Sequence, residues 1–237
     1  MAVKIRRPST FQQYRTLLAK DLRREFRTKE MLTTMGIYAV LVLVVYGAAL
    51  AMTSSQFDIL QMSGGLIGAL IVFTSLLGLN RSFSHERENG CLEGILLVPL
   101  DRSVLFLAKA TSNLLFLLAV EVIAVPLFFF FFLTTTAPAE SWPMIVLPLL
   151  MGTIGVAGIG TLLSTITAST RGKDVLLAVL FIPLIYPLLF ACVSAATVVL
   201  AGGDIEGVYP YALMMAGGYD LIMILLSWVL YDYVISA

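Results

Sequence analysis

Residues 175–203 read VLLAVLFIPLIYPLLFACVSAATVVLAGG and contain no Asp, Glu, Lys or Arg. About 20 helical residues cross the ~30 Å hydrocarbon core of a bilayer, so this stretch is long enough for one crossing. A helix on the surface of a soluble domain keeps a polar face, and this stretch has none. The stretch therefore indicates a transmembrane helix.

The composition of the whole chain agrees with a membrane protein. Of its 237 residues, 59% are hydrophobic and 13% are charged, and the mean hydropathy is +0.95. A soluble domain carries about 25% charged residues. The net charge is zero, which provides no electrostatic attraction to nucleic acid, and we expect no nucleic-acid partner.

Five further segments are long enough to cross a bilayer. Three of them, at 31–57, 59–80 and 141–170, lack charged side chains altogether. Alternating strands of a β-barrel are not seen. We predict an elbow helix at 1–30, followed by a transmembrane domain at 31–237. Its six spans lie at about 31–52, 60–80, 104–133, 143–167, 175–200 and 210–233.

The Lys and Arg side chains predict the orientation. All 15 lie in the N-terminal segment or beside the second and fourth connections between spans, and the other three connections hold only acidic charges. Positive residues concentrate on the cytoplasmic side of membrane proteins. We therefore expect both termini in the cytoplasm. Six spans satisfy this pattern, whereas five or seven do not.

The N-terminal segment has the pattern of a basic amphipathic helix. Thr10 and Gln13 have the spacing of a capping box, so a helix is expected to begin there. We expect this elbow helix to lie on the cytoplasmic surface of the lipid bilayer, and the pattern leaves open that a cytosolic partner also contacts it. Its apolar face consists of Phe11, Tyr14, Leu18, Leu22 and Phe26, and the opposite face consists of Gln12, Gln13, Lys20, Arg23, Arg24 and Arg27.

The connection at 81–102 has a charged first half and an apolar second half. Asn89-Gly90 is a strong turn signal, and 91–98 then reads as a short helix that Pro99 ends. Asp101 or Ser103 is expected to cap the next span. An apolar segment after a charged cluster either packs beneath the bundle or docks into a groove of a partner. The residue chemistry leaves both interpretations open.

Two acids, Glu121 and Asp220, lie well inside predicted spans. Ionisable side chains at such depth are costly and usually face the bundle interior, a polar cavity or a protonation site. Structural hydrogen-bonded acids are one interpretation of this pair. The other is a proton relay in a stand-alone carrier.

Motifs for nucleotide binding, catalysis or metal binding are missing. The Gly172-Lys173 pair lacks the earlier glycine of a P-loop and is followed by Asp174. Cys91 and Cys192 form no metal-ligand pair. We therefore expect no catalytic residue, no metal site and no cofactor bound by this chain's own residues. The glycines of the second and fourth spans indicate close helix–helix contact instead.

Several segments resemble the CcmB family, the permease subunits of the haem-exporter-type ABC complex of cytochrome c maturation. The most specific similarity lies in the connection after the second span. The matching segments are 20–27 (KDLRREFR), 79–83 (LNRSF), 86–93 (ERENGCLE), 97–100 (LVPL), Lys109, 171–172 (RG), 175–177 (VLL) and 183–189 (PLIYPLL).

The resemblance implies a fold and a set of partners. The fold would be all-α, a type-2 ABC exporter-like permease of six spans with an N-terminal interfacial helix, in the bacterial inner membrane. The implied partners are a CcmA-type ATPase, CcmC- and CcmD-type membrane subunits and the haem chaperone CcmE, with two copies of this subunit in the complex. Haem would be the cargo, and ATP would bind to the partner. The spans alone also fit a type-2 ABC permease for a lipid, a polysaccharide or a drug.

The resemblance also implies where the ATPase binds. In such transporters the loop after the second span holds the coupling helix, so here it would lie within 81–102, which we name the coupling loop. The elbow residues would be Arg23, Arg24, Phe26 and Arg27. The ATPase-coupling residues would be Glu86, Arg87, Glu88, Asn89, Gly90, Cys91, Leu92, Glu93, Ile95 and Leu96.

Overall fold

The computed structural model describes residues 9–52, 58–88, 101–133, 141–167, 170 and 172–236, with backbone alone at 83–88, 173–174, 232 and 235–236. Within these residues the regular structure consists of seven α-helices. They are α1 (Thr10–Thr28), α2 (Glu30–Ala51), α3 (Ile59–Glu88), α4 (Arg102–Phe132), α5 (Trp142–Thr167), α6 (Lys173–Leu200) and α7 (Ile205–Ser236).

The last six of these helices, α2 to α7, are each long and apolar enough to cross a bilayer. The prediction of an all-α membrane protein with six spans and a preceding helix is confirmed. The division into an elbow segment and a transmembrane domain stays a prediction.

Local capping explains where helices begin and end. α1 begins after Ser9, whose hydroxyl oxygen accepts a hydrogen bond from the Gln12 N–H at 3.3 Å, so the cap lies one residue before the expected Thr10. α4 begins after Asp101, whose carboxylate accepts from the Ser103 N–H at 3.1 Å. Asp101 is thus the one of the two expected residues that caps this span.

The chain bends sharply between α1 and α2. Lys29 adopts the left-handed conformation with φ 53°, and its N–H donates to the Glu25 carbonyl. α2 then begins at Glu30. Because one residue forms this corner, the direction of α1 is tied closely to that of α2.

α5 is the central helix of the bundle. It contacts α3, α4, α6 and α7, and every residue from 155 to 165 is buried. α2 and α7 lie at the periphery and expose most of their apolar surface. Such surfaces face lipid or other subunits in a membrane protein.

α6 runs from Lys173 to Leu200 without interruption, although it contains Pro183 and Pro187. The segment after Leu188 therefore completes a span and does not turn back as a re-entrant piece. Gly202, with φ 66°, then directs the chain towards α7.

α3 and α6 approach each other closely at two glycines one helical turn apart. A Cβ atom on Gly64 would overlap Thr197 Oγ1 and lie 2.9 Å from the Val193 carbonyl oxygen. A Cβ atom on Gly68 would lie 2.7 Å from Val193 Cγ2. The absence of side chains here allows the two backbones to touch, and the expected close helix–helix contact is confirmed for this pair.

We predict that Gly64→Ala destabilises the bundle by about 1–3 kcal/mol, because the backbone of α6 cannot yield as a flexible side chain does. Gly65→Ala is the matched control, since a Cβ atom there would meet nothing within 4 Å. The measurement is thermal unfolding of the detergent-solubilised protein. Equal midpoints for the two variants would contradict the close contact.

Candidate functional site

The coupling loop leaves the bundle from α3 and returns to it at α4. The uncharged part of α3 ends at Asn80, but the helix continues to Glu88, about 12 Å further at 1.5 Å per residue. Glu86, Arg87 and Glu88 therefore lie on the last turns of α3, where only the backbone is described. The other coupling residues lie outside the described residues, and they are Asn89, Gly90, Cys91, Leu92, Glu93, Ile95 and Leu96.

α1 lies against the beginning of α4, where the coupling loop ends. The side of α1 that faces the bundle is a stripe of residues four positions apart, in which polar groups dominate. It lies between the predicted apolar and basic faces, and Gln13, assigned to the basic face, is buried. The stripe consists of Gln13, Leu17, Asp21 and Glu25.

An ion pair buried between α1 and α4 is the centre of this contact. Lys109 Nζ lies 3.2 Å from Asp21 Oδ2, and the two side chains are 5% and 8% exposed. Ser112 donates a hydrogen bond of 3.4 Å to the same carboxylate oxygen, and Lys20 Nζ lies 3.3 Å from Asp21 Oδ1. Removing one partner of such a buried pair costs about 3–5 kcal/mol, because it leaves the other charge without compensation.

Two hydrogen bonds extend the contact along α4. Gln13 Oε1 accepts from the Asp101 N–H at 3.2 Å, and the Tyr14 hydroxyl donates to Thr111 Oγ1 at 3.1 Å. Asp101 is the first residue described after the gap at 89–100, near the end of the coupling loop. α1 is therefore joined directly to the point at which the loop re-enters the bundle.

Sequence reasoning missed this ion pair. From the sequence, Lys109 is one of the cations beside the second connection, and no function is assigned to Asp21. A signal was present, because Lys109 lies seven positions inside a helix that Asp101 caps, which is about 10 Å from its start. A cation at that depth needs a partner, and α1 carries acids at its i and i+4 positions, Asp21 and Glu25.

The predicted elbow residues lie on other faces of α1. Arg23, Phe26 and Arg27 are exposed, and Arg24 is partly buried. The Phe26 side chain is 70% exposed. This face is open to lipid or to another subunit, and its predicted interfacial role stays a prediction.

Glu121 is buried between α4 and α5. The Thr153 hydroxyl lies 2.9 and 2.8 Å from its two carboxyl oxygens and donates to this group. The residue is 9% exposed.

Asp220, on α7, lies on a different side of α5. It is buried against Gly155, where a Cβ atom would overlap Asp220 Oδ1, and this oxygen has no hydrogen-bond partner among the described residues. Thr153 and Gly155 are two positions apart on α5, a rotation of about 200°. Because Glu121 and Asp220 contact opposite sides of one helix, the arrangement favours two separate structural acids over a relay between them.

Two apolar cavities lie between the described helices. One, of about 30 Å³, is lined by α3, α5 and α6, and the other, of about 170 Å³, by α2 and α4. Pockets for small molecules usually have about 300–1,000 Å³. Neither cavity is large enough to be a preformed site for a large planar ligand. Among the described residues no three His, Cys, Asp or Glu side chains form a metal-binding group.

The family model described as CcmB protein matches residues 12–229. Heme exporter protein B of Pseudomonas aeruginosa is 29% identical over 186 residues, which cover 78% of this chain and 81% of that protein. Heme exporter protein B of Rhodobacter capsulatus is 27% identical over 204 residues, 86% of this chain and 89% of that protein. Heme exporter protein B of Paracoccus denitrificans is 29% identical over 58% of this chain and 61% of that protein.

We predict that Thr153→Val destabilises the bundle by about 1–3 kcal/mol, because it leaves the buried Glu121 carboxyl without its hydrogen-bond donor. In a Glu121→Leu background the same change should cost much less. Thermal unfolding of the four proteins of this double-mutant cycle measures the coupling. Ser194→Ala is the control, since that hydroxyl donates to the Phe190 carbonyl of its own helix. Additive effects of the two substitutions would refute the interaction.

Proposed function

The chain belongs to the CcmB family, and from this membership we propose that it is the permease subunit of a haem-exporting complex of cytochrome c maturation. It is a multi-pass membrane protein of bacterial type with six spanning helices. The observation that carries the proposal is the family match over 12–229, which includes the first five spans, the coupling loop and most of the sixth span. Three relatives with the name heme exporter protein B support the cargo class.

The energy for transport comes, in this proposal, from a partner ATPase of the CcmA type. The sequence offers no P-loop of its own, so hydrolysis has to occur on another subunit. CcmC- and CcmD-type subunits and the haem chaperone CcmE complete the set of partners, with two copies of this chain. The chain itself is non-catalytic. Haem is its cargo, free or on the chaperone, and not a resident cofactor.

The ATPase docks on the coupling loop at the cytoplasmic face of the inner membrane. All the Lys and Arg residues belong to the N-terminal segment or lie beside the connections after the second and fourth spans, which favours a cytoplasmic position for those connections and for both termini. The extension of α3 beyond its apolar part to Glu88 supports contact with a cytosolic subunit. Residues 86–96 would enter a groove on that subunit, since an apolar helix exposed to water gains by such burial.

The mechanism follows from how the loop is connected. Closure of the ATPase around nucleotide pushes the loop, and α3 and α4 carry the displacement into the membrane. Both helices contact α5, the most buried helix, which also contacts α6 and α7. Movement of this central helix therefore reaches the opposite face, where haem is delivered.

We predict that Leu92→Asp combined with Ile95→Asp abolishes formation of covalent c-type cytochromes in a strain that lacks the native gene. The acidic side chains would have to be buried in the apolar groove of the ATPase without partners. Cytochromes are measured by haem staining, and ATPase binding by co-purification. Met52→Asp is the control, an equally drastic change at the C-terminal end of α2. This end of the helix is the one away from α1, and the Met52 side chain is 89% exposed.

Normal cytochrome formation with the double variant at normal abundance would contradict the coupling role. Normal cytochromes in the deletion strain itself, together with an envelope or drug-resistance defect, would favour a permease for a lipid, polysaccharide or drug. A stand-alone proton carrier requires transport without an ATPase that is lost on Glu121→Gln or Asp220→Asn. The separation of these two acids across α5 argues against it.

We predict that a membrane-impermeant maleimide labels Cys91 in inverted vesicles but not in right-side-out vesicles. The other cysteine, Cys192, is buried and should contribute little background. Asp58→Cys in a Cys91→Ser background is the matched control and should label only in right-side-out vesicles. Labelling of Cys91 from outside the cell would overturn both the orientation and the docking of a cytosolic ATPase.

A further inference from the structure

Among the described side chains, each end of the coupling loop has an ion pair of a different kind. Where the loop ends, the buried Asp21–Lys109 ion pair and the Gln13–Asp101 hydrogen bond join α1 to α4. Near its beginning, Arg81 of α3 pairs with Glu30 of α2, and about half of each side chain is exposed. Exposed pairs contribute little to stability, whereas a buried pair is costly to break.

α1 is itself held at both of its ends. Near its C-terminal end the Glu25 carboxylate accepts a hydrogen bond of 2.8 Å from the Leu32 N–H of α2, across the Lys29 corner. At its N-terminal end Gln13 and Tyr14 bond to α4. The helix therefore braces the start of α2 against the start of α4. It does not behave as a loose surface anchor that only touches lipid.

We propose that α1 is a positioning element for the coupling loop, and that the Asp21–Lys109 pair locks α1 and the first turns of α4 into one rigid unit. This unit sets where the loop joins α4, so a push on residues 91–98 would act on a loop whose end at α4 is fixed. The functional part of this inference rests on the proposed function. The lock itself is a property of this chain alone.

The buried ion pair fixes the position of α1 on α4 more strictly than an apolar packing contact would. The Asp21 carboxylate contacts Lys109 and Ser112 of α4, and these two contacts depend on the rotation and the height of α1 relative to α4. Apolar contacts such as those of Leu17 tolerate sliding, but a buried charge pair does not. The pair therefore specifies one register between the two helices.

The test uses the natural Cys91 as a reporter in the full-length protein. Inverted membrane vesicles are treated with a membrane-impermeant maleimide, and the labelling rate of Cys91 is measured per molecule of protein. Asp21→Asn alone should lower the amount of protein in the membrane, because it leaves Lys109 charged and buried. Asp21→Leu combined with Lys109→Met removes both charges at similar volume, and it should restore the amount to within about twofold of wild type.

Without the ion pair, the double variant should label at Cys91 at least about threefold faster than wild type, because α1 then holds the start of α4 less tightly. Glu30→Gln combined with Arg81→Gln is the matched control. It removes an ion pair at the same end of the bundle and should leave the labelling rate unchanged. A merely structural role for the buried pair predicts that the neutral double variant regains both the amount and the labelling rate of wild type.

A wild-type labelling rate in the double variant would overturn the inference. If the double variant does not accumulate, Gln13→Ala is the variant to measure, since it removes the acceptor for the Asp101 N–H and leaves the Asp21–Lys109 pair in place. It should also speed labelling, and an unchanged rate would overturn the inference in that case. Failure of the proposed function can be told apart from failure of this inference. In the first case the wild-type chain would not support cytochrome formation, but the difference in labelling rate would persist.

Discussion

The hydrocarbon interior of a bilayer contains no water to hydrogen-bond backbone N–H and C=O groups or to solvate charges, and the architecture of this chain follows from that constraint. Each crossing segment is a helix, so its backbone bonds are made internally. Hydroxyl groups inside the spans bond to carbonyls of their own helix, as Thr74 does to Leu70 and Thr167 does to Leu163. Along the sequence, Lys and Arg are confined to the N-terminal segment and to positions beside the second and fourth connections.

The same constraint separates the buried charges into two kinds. Asp21 and Lys109 neutralise each other near the end of the bundle, and the pair defines how two helices fit together. Glu121 and Asp220 lie deeper and have no cationic partner within the part of the chain that the structure describes, and each contacts α5. The buried charged residues of this chain therefore lie where helices contact each other. Their burial does not by itself identify a transport pathway.

The position of α1 connects the structural and functional proposals. A helix with exposed apolar residues on one face and exposed basic residues on another is typical of a helix that binds the membrane surface. Its third face, a polar stripe, ties it to the beginning of α4 and thereby to the coupling loop. An amphipathic helix can thus be an interfacial element and a brace at once, because Phe11, Arg23, Phe26 and Arg27 stay exposed while the stripe contacts the bundle.

The number of spans, their approximate positions, the one-sided distribution of cations and the family resemblance were determined by the sequence alone. These properties depend on runs of residues and on their length, which are local and can be counted along the chain. The central place of α5, the contact of Gly64 with Thr197 and the pairing of Asp21 with Lys109 were decided by tertiary structure. Each depends on how two helices are rotated and shifted relative to each other. A single helix carries no information about that rotation until its neighbour is in place.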